Sequence, residues 1–358
     1  MNRIVVSLLF AGIGASAPLT QTEIFRSGEG GYHTYRIPAL IVSAKGTLLA
    51  FCEGRKDSGA DSGNIDLLLR RSFDNGKTWA AVQTVADMGD DTIGNPAPVV
   101  DGKTGAIILL MTKNPGKINE RQIEDSVGDR TVWITRSADD GATWSTPQEI
   151  TKDVKLPEWS WYATGPGNGI QLRSGRLVIA CDHTRRANKE RHSHLIYSDD
   201  HGATWKIGAI AGDKTNESAV AQAKDGSLVV NMRSYHGKNR RAVQRSTDGG
   251  LTLKPLEMDE TLIEPVCQAS LISVSKKPNG TLLFSNPAAA TRTKMTVRLS
   301  KDDGRTWSGS KVVHEGPAAY SSLAILRDRS VGLLYERGER RAYELITFAQ
   351  FEVAWLRK

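Results

Sequence analysis

The sequence predicts an all-β fold, a six-bladed β-propeller, on three observations. One turn pattern recurs along the chain, each copy follows a short strand-like run, and almost no segment carries the 3.6-residue period of an amphipathic helix. The turn is Ser-x-Asp-x-Gly-x-Thr-Trp. It is complete in SFDNGKTW (72–79), SADDGATW (137–144), SDDHGATW (198–205) and SKDDGRTW (300–307), and STDGGLTL (246–253) keeps all but the tryptophan. Successive copies start 65, 61, 48 and 54 residues apart, a spacing that leaves room for about four short strands per unit.

In chain order, MNRIVVSLLFAGIGASAPLT has Arg3, an apolar stretch from Ile4 to Ile13, and Ala15-Ser16-Ala17. This is the pattern of a secretory signal peptide, residues 1–17, cut after Ala17. The expected location is therefore secreted or periplasmic. No stretch reaches the 18 apolar residues of a membrane span. Residues 18–358 read as one propeller domain, with no Pro/Gly/Ser-rich linker to divide them. The strand runs before the five turns are IDLLLRR, TVWITR, SHLIY, RAVQR and MTVRL. Between them lie GTLLAFCEG, GAIILLMTK, GRLVIACDH, GSLVVNMRS, GTLLFSNP and SVGLLYERG, one per unit, which gives six units. The last unit lacks a box, and either one of its own strands or TEIFRSG near the N-terminus is expected to close the ring.

The repeated turn reads as architecture. Its aspartate can accept bonds from following backbone N–H groups, its glycine takes positive φ, its threonine bonds back, and its tryptophan plugs the base of the hairpin. A calcium loop requires an acid at position twelve, which counted from Asp74 is Val85 and from Asp302 is Val313.

Composition narrows the function. Three cysteines, Cys52, Cys181 and Cys267, make no disulfide framework and read as buried small apolar residues. The formal charge is +7 without a dense basic tract, a mild lean toward anionic ligands, with nucleic acid weakly supported. The seven histidines include no HExxH spacing, no Cys-x-x-Cys occurs, and GPGNG (165–169) does not join a strand to a helix. No metal and no cofactor is expected.

In a propeller the innermost strands converge on one axis, so scattered polar residues can share a site. Arg36, Arg233 and Arg292 are then of interest, because three converging guanidinium groups repel one another unless an anion lies among them, and their forks suit a carboxylate. For any one of them alone, a solvated surface arginine is the commoner role.

These residues stand among others in a familiar order. YRIP (35–38), EGR (53–55), DSGNID (61–66), GNPAPVVD (94–101), TGPGNGIQL (164–172), NES (216–218), AYSSL (319–323) and LLYE (333–336), interspersed with Asp boxes, resemble an exo-α-sialidase (neuraminidase) of the bacterial and animal type from about residue 22 to 352. The resemblance implies that Arg36, Arg233 and Arg292 bind the sugar carboxylate and that Glu336 orients the first of them. It makes Tyr320 the nucleophile, Glu217 its general base, and Asp61 the acid/base on the leaving-group side. Arg55 and Asn95 fall where the sugar's 4-substituent region is contacted, and the loop from Trp159 to Tyr162 where side chains cover the glycerol or aglycone end. It implies sialylated glycans as the partner, and a monomer.

The chemistry asks for the same types. Sialic acid bears a carboxylate on its anomeric carbon, which repels a carboxylate nucleophile, and sialidases are the tyrosine exception among retaining glycosidases. A phenol arrives uncharged and needs a base. Each residue has a plainer role open to it: Tyr320 as a packed aromatic, Glu217 and Asp61 as turn residues, Asp57 in KDSGADSG as a competitor of Asp61, and Glu53, Asp66 and Asp101 as backbone-bonding acids. Two departures stand out, Leu253 for the box tryptophan and Asn95 where relatives carry Asp. Alternatives to hydrolysis are sialyl transfer, an anhydro product, or a binding propeller without turnover.

Overall fold

A computed structural model describes residues 19–275 and 279–357, so the expected leader, 1–17, lies outside the described residues. Four-stranded antiparallel units follow one another around a ring, and strands dominate as expected. Blade one comprises Thr34–Val42, Leu48–Arg55, Ile65–Ser72 and Gln83–Ala86. Blade two comprises Thr92–Val100, Ile107–Asn114, Thr131–Ser137 and Gln148–Glu149. In blade three Trp159–Thr164, Leu177–Arg185, Arg191–Ser198 and Lys206–Asp213 pair in order, and in blade four Thr215–Gln222, Leu228–Ser234, Arg240–Ser246 and Glu257–Ile263. Blade five has Ser270–Ser273, Leu282–Pro287 and Thr293–Ser300, and the long strand Gly309–Ile325 serves it as the outer strand before becoming the inner strand of blade six. Blade six continues with Val331–Arg337 and Leu345–Phe351, and Thr20–Arg26 adds its outer strand, so the N-terminal segment closes the ring.

The cores lie between blades rather than within one centre. Leu48–Arg55 is buried along its whole length because its two faces enter different clusters. Leu48, Ala50 and Cys52 pack with Leu334, Ile346 and Phe348 of blade six, whereas Leu49 and Phe51 pack with Ile107, Leu109 and Met111 of blade two. Two-sided burial explains the continuous apolar runs, where a sheet with one wet face would alternate. Each fully buried Leu or Phe stabilises the joint by about 1.5–3 kcal/mol. Cys52, Cys181 and Cys267 are free and buried in these layers. Among the described residues no helix is long and apolar enough to cross a membrane.

The boxes tie neighbouring blades. In the first, Ser72 donates to Asp74 Oδ1 at 2.9 Å and accepts from the Gly76 amide at 2.8 Å, while Thr78 donates its amide and hydroxyl to the two Asp74 oxygens at 2.9 and 2.6 Å. The same bonds recur around Asp139, Asp200, Asp248 and Asp302. Gly76 has φ +89 and faces Phe348 of blade six so closely that a Cβ would lie 2.3 Å from that ring. Trp79 packs edge-on against the same Phe348, and Trp144 against Phe51. These tryptophans therefore plug the seam with the preceding blade, a correction to a plug beneath their own hairpin: the turn projects sideways, and the nearest apolar surface belongs to the neighbour. Leu253, in the tryptophan's place, packs at the seam of blades three and four.

Candidate active site

Register sets boxes and candidate site at opposite ends of each sheet. In blade one Leu48 pairs with Ser72, the start of the box, whereas at the other end Arg36 pairs with Glu53 and Arg55 with Ile65. At that second end the inner strands break register between Arg36 and Ala39, Gly94 and Ala97, Thr215 and Ser218, and Ala318 and Ser321. A bulge re-aims side chains that regular pleating would turn into the seams. The residues it releases include Arg36, Asn95, Glu217 and Tyr320. Ile37 and Asn95 lie at φ 59 and 54, left-handed backbone uncommon outside glycine and concentrated where a fold holds a working group.

Tyr320 is the hub. Its hydroxyl donates to Glu217 Oε1 at 2.5 Å, and Arg233 Nη1 donates to Glu217 Oε2 at 2.8 Å and to the Tyr320 oxygen at 3.3 Å. The Arg36 and Arg292 guanidinium carbons lie 4.9 and 5.6 Å from the centre of its ring. The three arginines, from blades one, four and five, thus surround one phenol. Burial pushes the Tyr320 hydroxyl well above the usual range, and the Glu217 carboxylate adds to that; Arg233 and Arg36 oppose it without reversing it. Tyr320 stands as a neutral phenol hydrogen-bonded to an acceptor.

Glu336 is completely buried and anchors this arrangement. Its Oε1 accepts from Arg36 Nε at 2.9 Å and from the Ile37 amide at 2.8 Å, and its Oε2 accepts from Arg36 Nη2 at 3.3 Å and from the Tyr320 amide at 3.0 Å. One carboxylate therefore fixes both the guanidinium and the backbone of the hub. Arg292 donates to the Tyr343 hydroxyl at 2.6 Å and to the Val266 carbonyl, and has no carboxylate partner among the described residues. With Arg36 matched by Glu336 and Arg233 by Glu217, the charge of Arg292 is left over, which suits an incoming anion.

Asp61, on the loop after Arg55, meets Arg55 Nη1 at 2.7 Å and Arg36 Nη1 at 3.6 Å, with 67% of its side chain exposed. Its partial enclosure raises its pKa, but Arg55 first and Arg36 next overcome this and hold the carboxyl below its ordinary range. Asp57 makes no comparable contact. Arg55 is held by Glu53 through Nε at 3.0 Å and Nη2 at 2.7 Å, and Glu53 Oε1 also accepts the Asn95 amide at 2.9 Å. Glu53 is thus structural, as read from the sequence, but the structure it supports is the site itself.

All nine residues singled out from the sequence, Arg36, Arg55, Asp61, Asn95, Glu217, Arg233, Arg292, Tyr320 and Glu336, gather at this mouth. The stretch from Trp159 to Tyr162 is a buried strand instead of a covering loop: Trp159 stacks on His183 at 3.6 Å, and with Tyr162 belongs to the core between blades two and three. Two residues escaped sequence reading. Tyr343 bonds Arg292 and lies under Arg36 at 4.0 Å, and Arg130, only 2% exposed, lies over the Trp161 ring at 4.0 Å and bonds Asn95. Neither stands in a motif, so only folding reveals them. Among the described residues no cluster of His, Cys, Asp or Glu has the geometry to hold a metal ion.

A ring of antiparallel blades with box turns at one end and an arginine-lined phenol at the other defines a propeller of the Asp-box repeat class. Residues 46–335 match the BNR repeat-like domain family. The chain is 35% identical to a sialidase of Micromonospora viridifaciens across 96% of its own length and 55% of that protein's, so it spans about half of that relative. It is 30% identical to an exo-alpha-sialidase of Arthroderma benhamiae, covering 95% of this chain and 88% of the fungal protein. The solved structure of the Hadza microbial sialidase Hz136 superimposes with a TM-score of 0.85 at 35% identity, covering 92% of this chain and 68% of the other. The chain belongs to the sialidase family.

Proposed function

We propose that this chain is an exo-α-sialidase that removes terminal α-linked sialic acid from glycoproteins, glycolipids or oligosaccharides with retention of configuration. The observation that carries the reading is the Tyr320–Glu217–Arg233 cluster beside Arg36 and Arg292. The three arginines hold the substrate carboxylate, which places the anomeric carbon at the Tyr320 oxygen. Glu217 takes the phenolic proton as that oxygen attacks; the glycosidic bond breaks, and Asp61 gives a proton to the leaving oxygen. In the second half Asp61, now a carboxylate, takes a proton from water, the water oxygen attacks the anomeric carbon, and Glu217 returns the proton to Tyr320. Two displacements restore the starting configuration.

Arg55 and Arg36 favour the ionised form of Asp61, whereas the first half needs it protonated. An arriving carboxylate offsets the positive charge of Arg36, and the sugar displaces water from Asp61, so binding itself moves Asp61 toward its acid form. Export is part of the reading, supported by the leader pattern of residues 1–17.

Proton NMR of the first-formed product tests the proposal. The α-anomer of the free sugar is expected; β-anomer appearing first overturns retention, an anhydro sugar or a transferred sialoside replaces hydrolysis by the transfer alternatives, and no turnover of any sialoside leaves a binding propeller.

A further inference from the structure

GPGNG (165–169) takes no part in the mechanism above, yet it bonds the backbone that follows the nucleophile. It leaves the end of Trp159–Thr164, the inner strand of blade three, and its amides reach the inner strand of blade two, Gly167 donating to the Pro96 carbonyl at 3.1 Å and Gly169 to the Pro98 carbonyl at 2.9 Å. Asn168 reaches two further blades. Its Nδ2 donates to the Leu40 carbonyl of blade one at 2.5 Å and to the Leu323 carbonyl of blade six at 2.9 Å, and its Oδ1 accepts from Ser322 Oγ at 3.1 Å. Blades one and six are not neighbours of blade three in the ring, so the segment lies across the central axis. Gly167 stands at φ +119, which favours glycine, and a Cβ there would crowd Gln268 Nε2 at 3.3 Å.

Gln268 is buried and joins that segment to blade six. Its Oε1 accepts from the Ser321 amide at 3.0 Å, its Nε2 donates to the Ser321 carbonyl at 3.0 Å, and the same Nε2 donates to the Pro166 carbonyl at 3.1 Å. The inner strand of a blade has one edge that faces the channel with no strand beside it, and backbone groups on such an edge need other partners. A primary amide carries a donor and an acceptor side by side, as a peptide group does, so one side chain stands in for the absent strand at Ser321. Leu323 is held likewise, its amide by Ser270 Oγ at 3.0 Å and its carbonyl by Asn168. Tyr320 lies in the bulge between Ala318 and Ser321, where the ladder to Val331–Arg337 is interrupted. Its own amide is held by Glu336, and the next residue by Gln268.

We propose that Gln268 is a positioning residue for the nucleophile: fastened to Pro166 of the channel-crossing segment, it holds Ser321 and so sets where the Tyr320 oxygen stands relative to the anomeric carbon. The inference rests on the sialidase reading. The carboxylate is held by arginines of blades one, four and five, whereas the attacking oxygen comes from the inner strand of blade six. Anion binding and attack are therefore set by different strands. Releasing Ser321 loosens the strand of the nucleophile at its bulge and leaves the guanidinium groups in place. A misplacement of about 1 Å costs on the order of a hundredfold in rate.

The test separates attack from binding. With 2,3-difluorosialic acid the Tyr320 oxygen displaces the C2 fluoride and the phenolic proton passes to Glu217, so the protein gains one sugar, which mass spectrometry follows in time. Gln268→Met keeps the length of the side chain and removes its amide. In that variant the first-order rate of attachment is expected to fall by about ten- to a hundredfold, while the affinity of the unsaturated sialic-acid inhibitor, read by isothermal titration, stays within about twofold. An unchanged attachment rate overturns the inference and leaves the sialidase reading intact. Inhibitor affinity falling by the same factor as the rate also overturns it, because the whole mouth has then loosened. Should the variant not fold, hydrogen exchange in the wild type decides: the Ser321 amide is expected to exchange as slowly as those of the buried strands, and exchange as fast as that of an exposed loop overturns the inference. If the wild type is neither labelled by the difluoro sugar nor turns over any sialoside, the sialidase reading fails and this inference with it.

Discussion

The Tyr320 hydroxyl and the Glu217 carboxylate lie 2.5 Å apart although 103 positions separate them in the chain. In the proposed mechanism the pair lets a phenol whose pKa is raised by burial act, because its proton already points at the acceptor. Tyr320→Phe removes the oxygen proposed to attack, and kcat is expected to fall by at least about two orders of magnitude. Near-normal release of 4-methylumbelliferone from a sialoside by that variant would remove Tyr320 from the nucleophile's role.

Arg292 is the cation without a carboxylate partner. Arg292→Ala is expected to weaken an unsaturated sialic-acid inhibitor bearing the carboxylate by about ten- to a hundredfold, the worth of a charged hydrogen bond of about 1.5–3 kcal/mol. Isothermal titration at constant salt measures this, and equal affinity in the two proteins would exclude Arg292 from carboxylate binding.

Glu336 carries Arg36 and two backbone amides at once. Removing one partner of a buried pair strands the other, so Glu336→Ala is expected to cost about 3–5 kcal/mol of stability. Urea unfolding checks it; an unchanged midpoint would mean that Arg36 finds another partner.

Asp61 is held below the carboxylate range by Arg55 and Arg36 against the effect of its own enclosure. As a general acid it must be protonated, so kcat/KM falls as pH rises through its pKa in the free enzyme. Arg55→Leu removes the nearer cation, raises that pKa, and is expected to move the alkaline limb of the profile to higher pH while lowering the plateau. A limb that stays in place or moves to lower pH counts against Asp61 as the acid.

The box aspartates bear on stability alone. Asp74, Asp139 and Asp200 are held at about 2, chiefly by the threonine four residues on. A carboxylate with a depressed folded pKa stabilises fully above its unfolded value near 3.9 and loses that contribution as pH falls toward 2. Asp74→Ala is expected to lower the melting temperature at pH 7 and to flatten the acid limb of the stability profile, with kcat unchanged at a temperature where both proteins are folded. A change in the pH dependence of turnover would contradict the placement of box and site at opposite ends of the sheets.

SFDNGKTW and its copies were legible in the sequence because turn chemistry is local: hydroxyl, carboxylate, amide and glycine meet within eight residues, and the side chains name the bonds they make. The five copies, together with the six strand runs between them, marked six units, and the ordered motifs named nine residues of the mouth. What the sequence could not give were relations between distant segments. It could not say that Trp79 plugs the seam against Phe348, that Trp159 and Tyr162 belong to a core, that Glu336 fastens Arg36 and Tyr320 together, or that Arg130 bonds Asn95. Each depends on strands from different blades being brought within hydrogen-bond or van der Waals reach, and residue type and spacing do not encode that distance. Only the closed ring and the bulges of its inner strands set it.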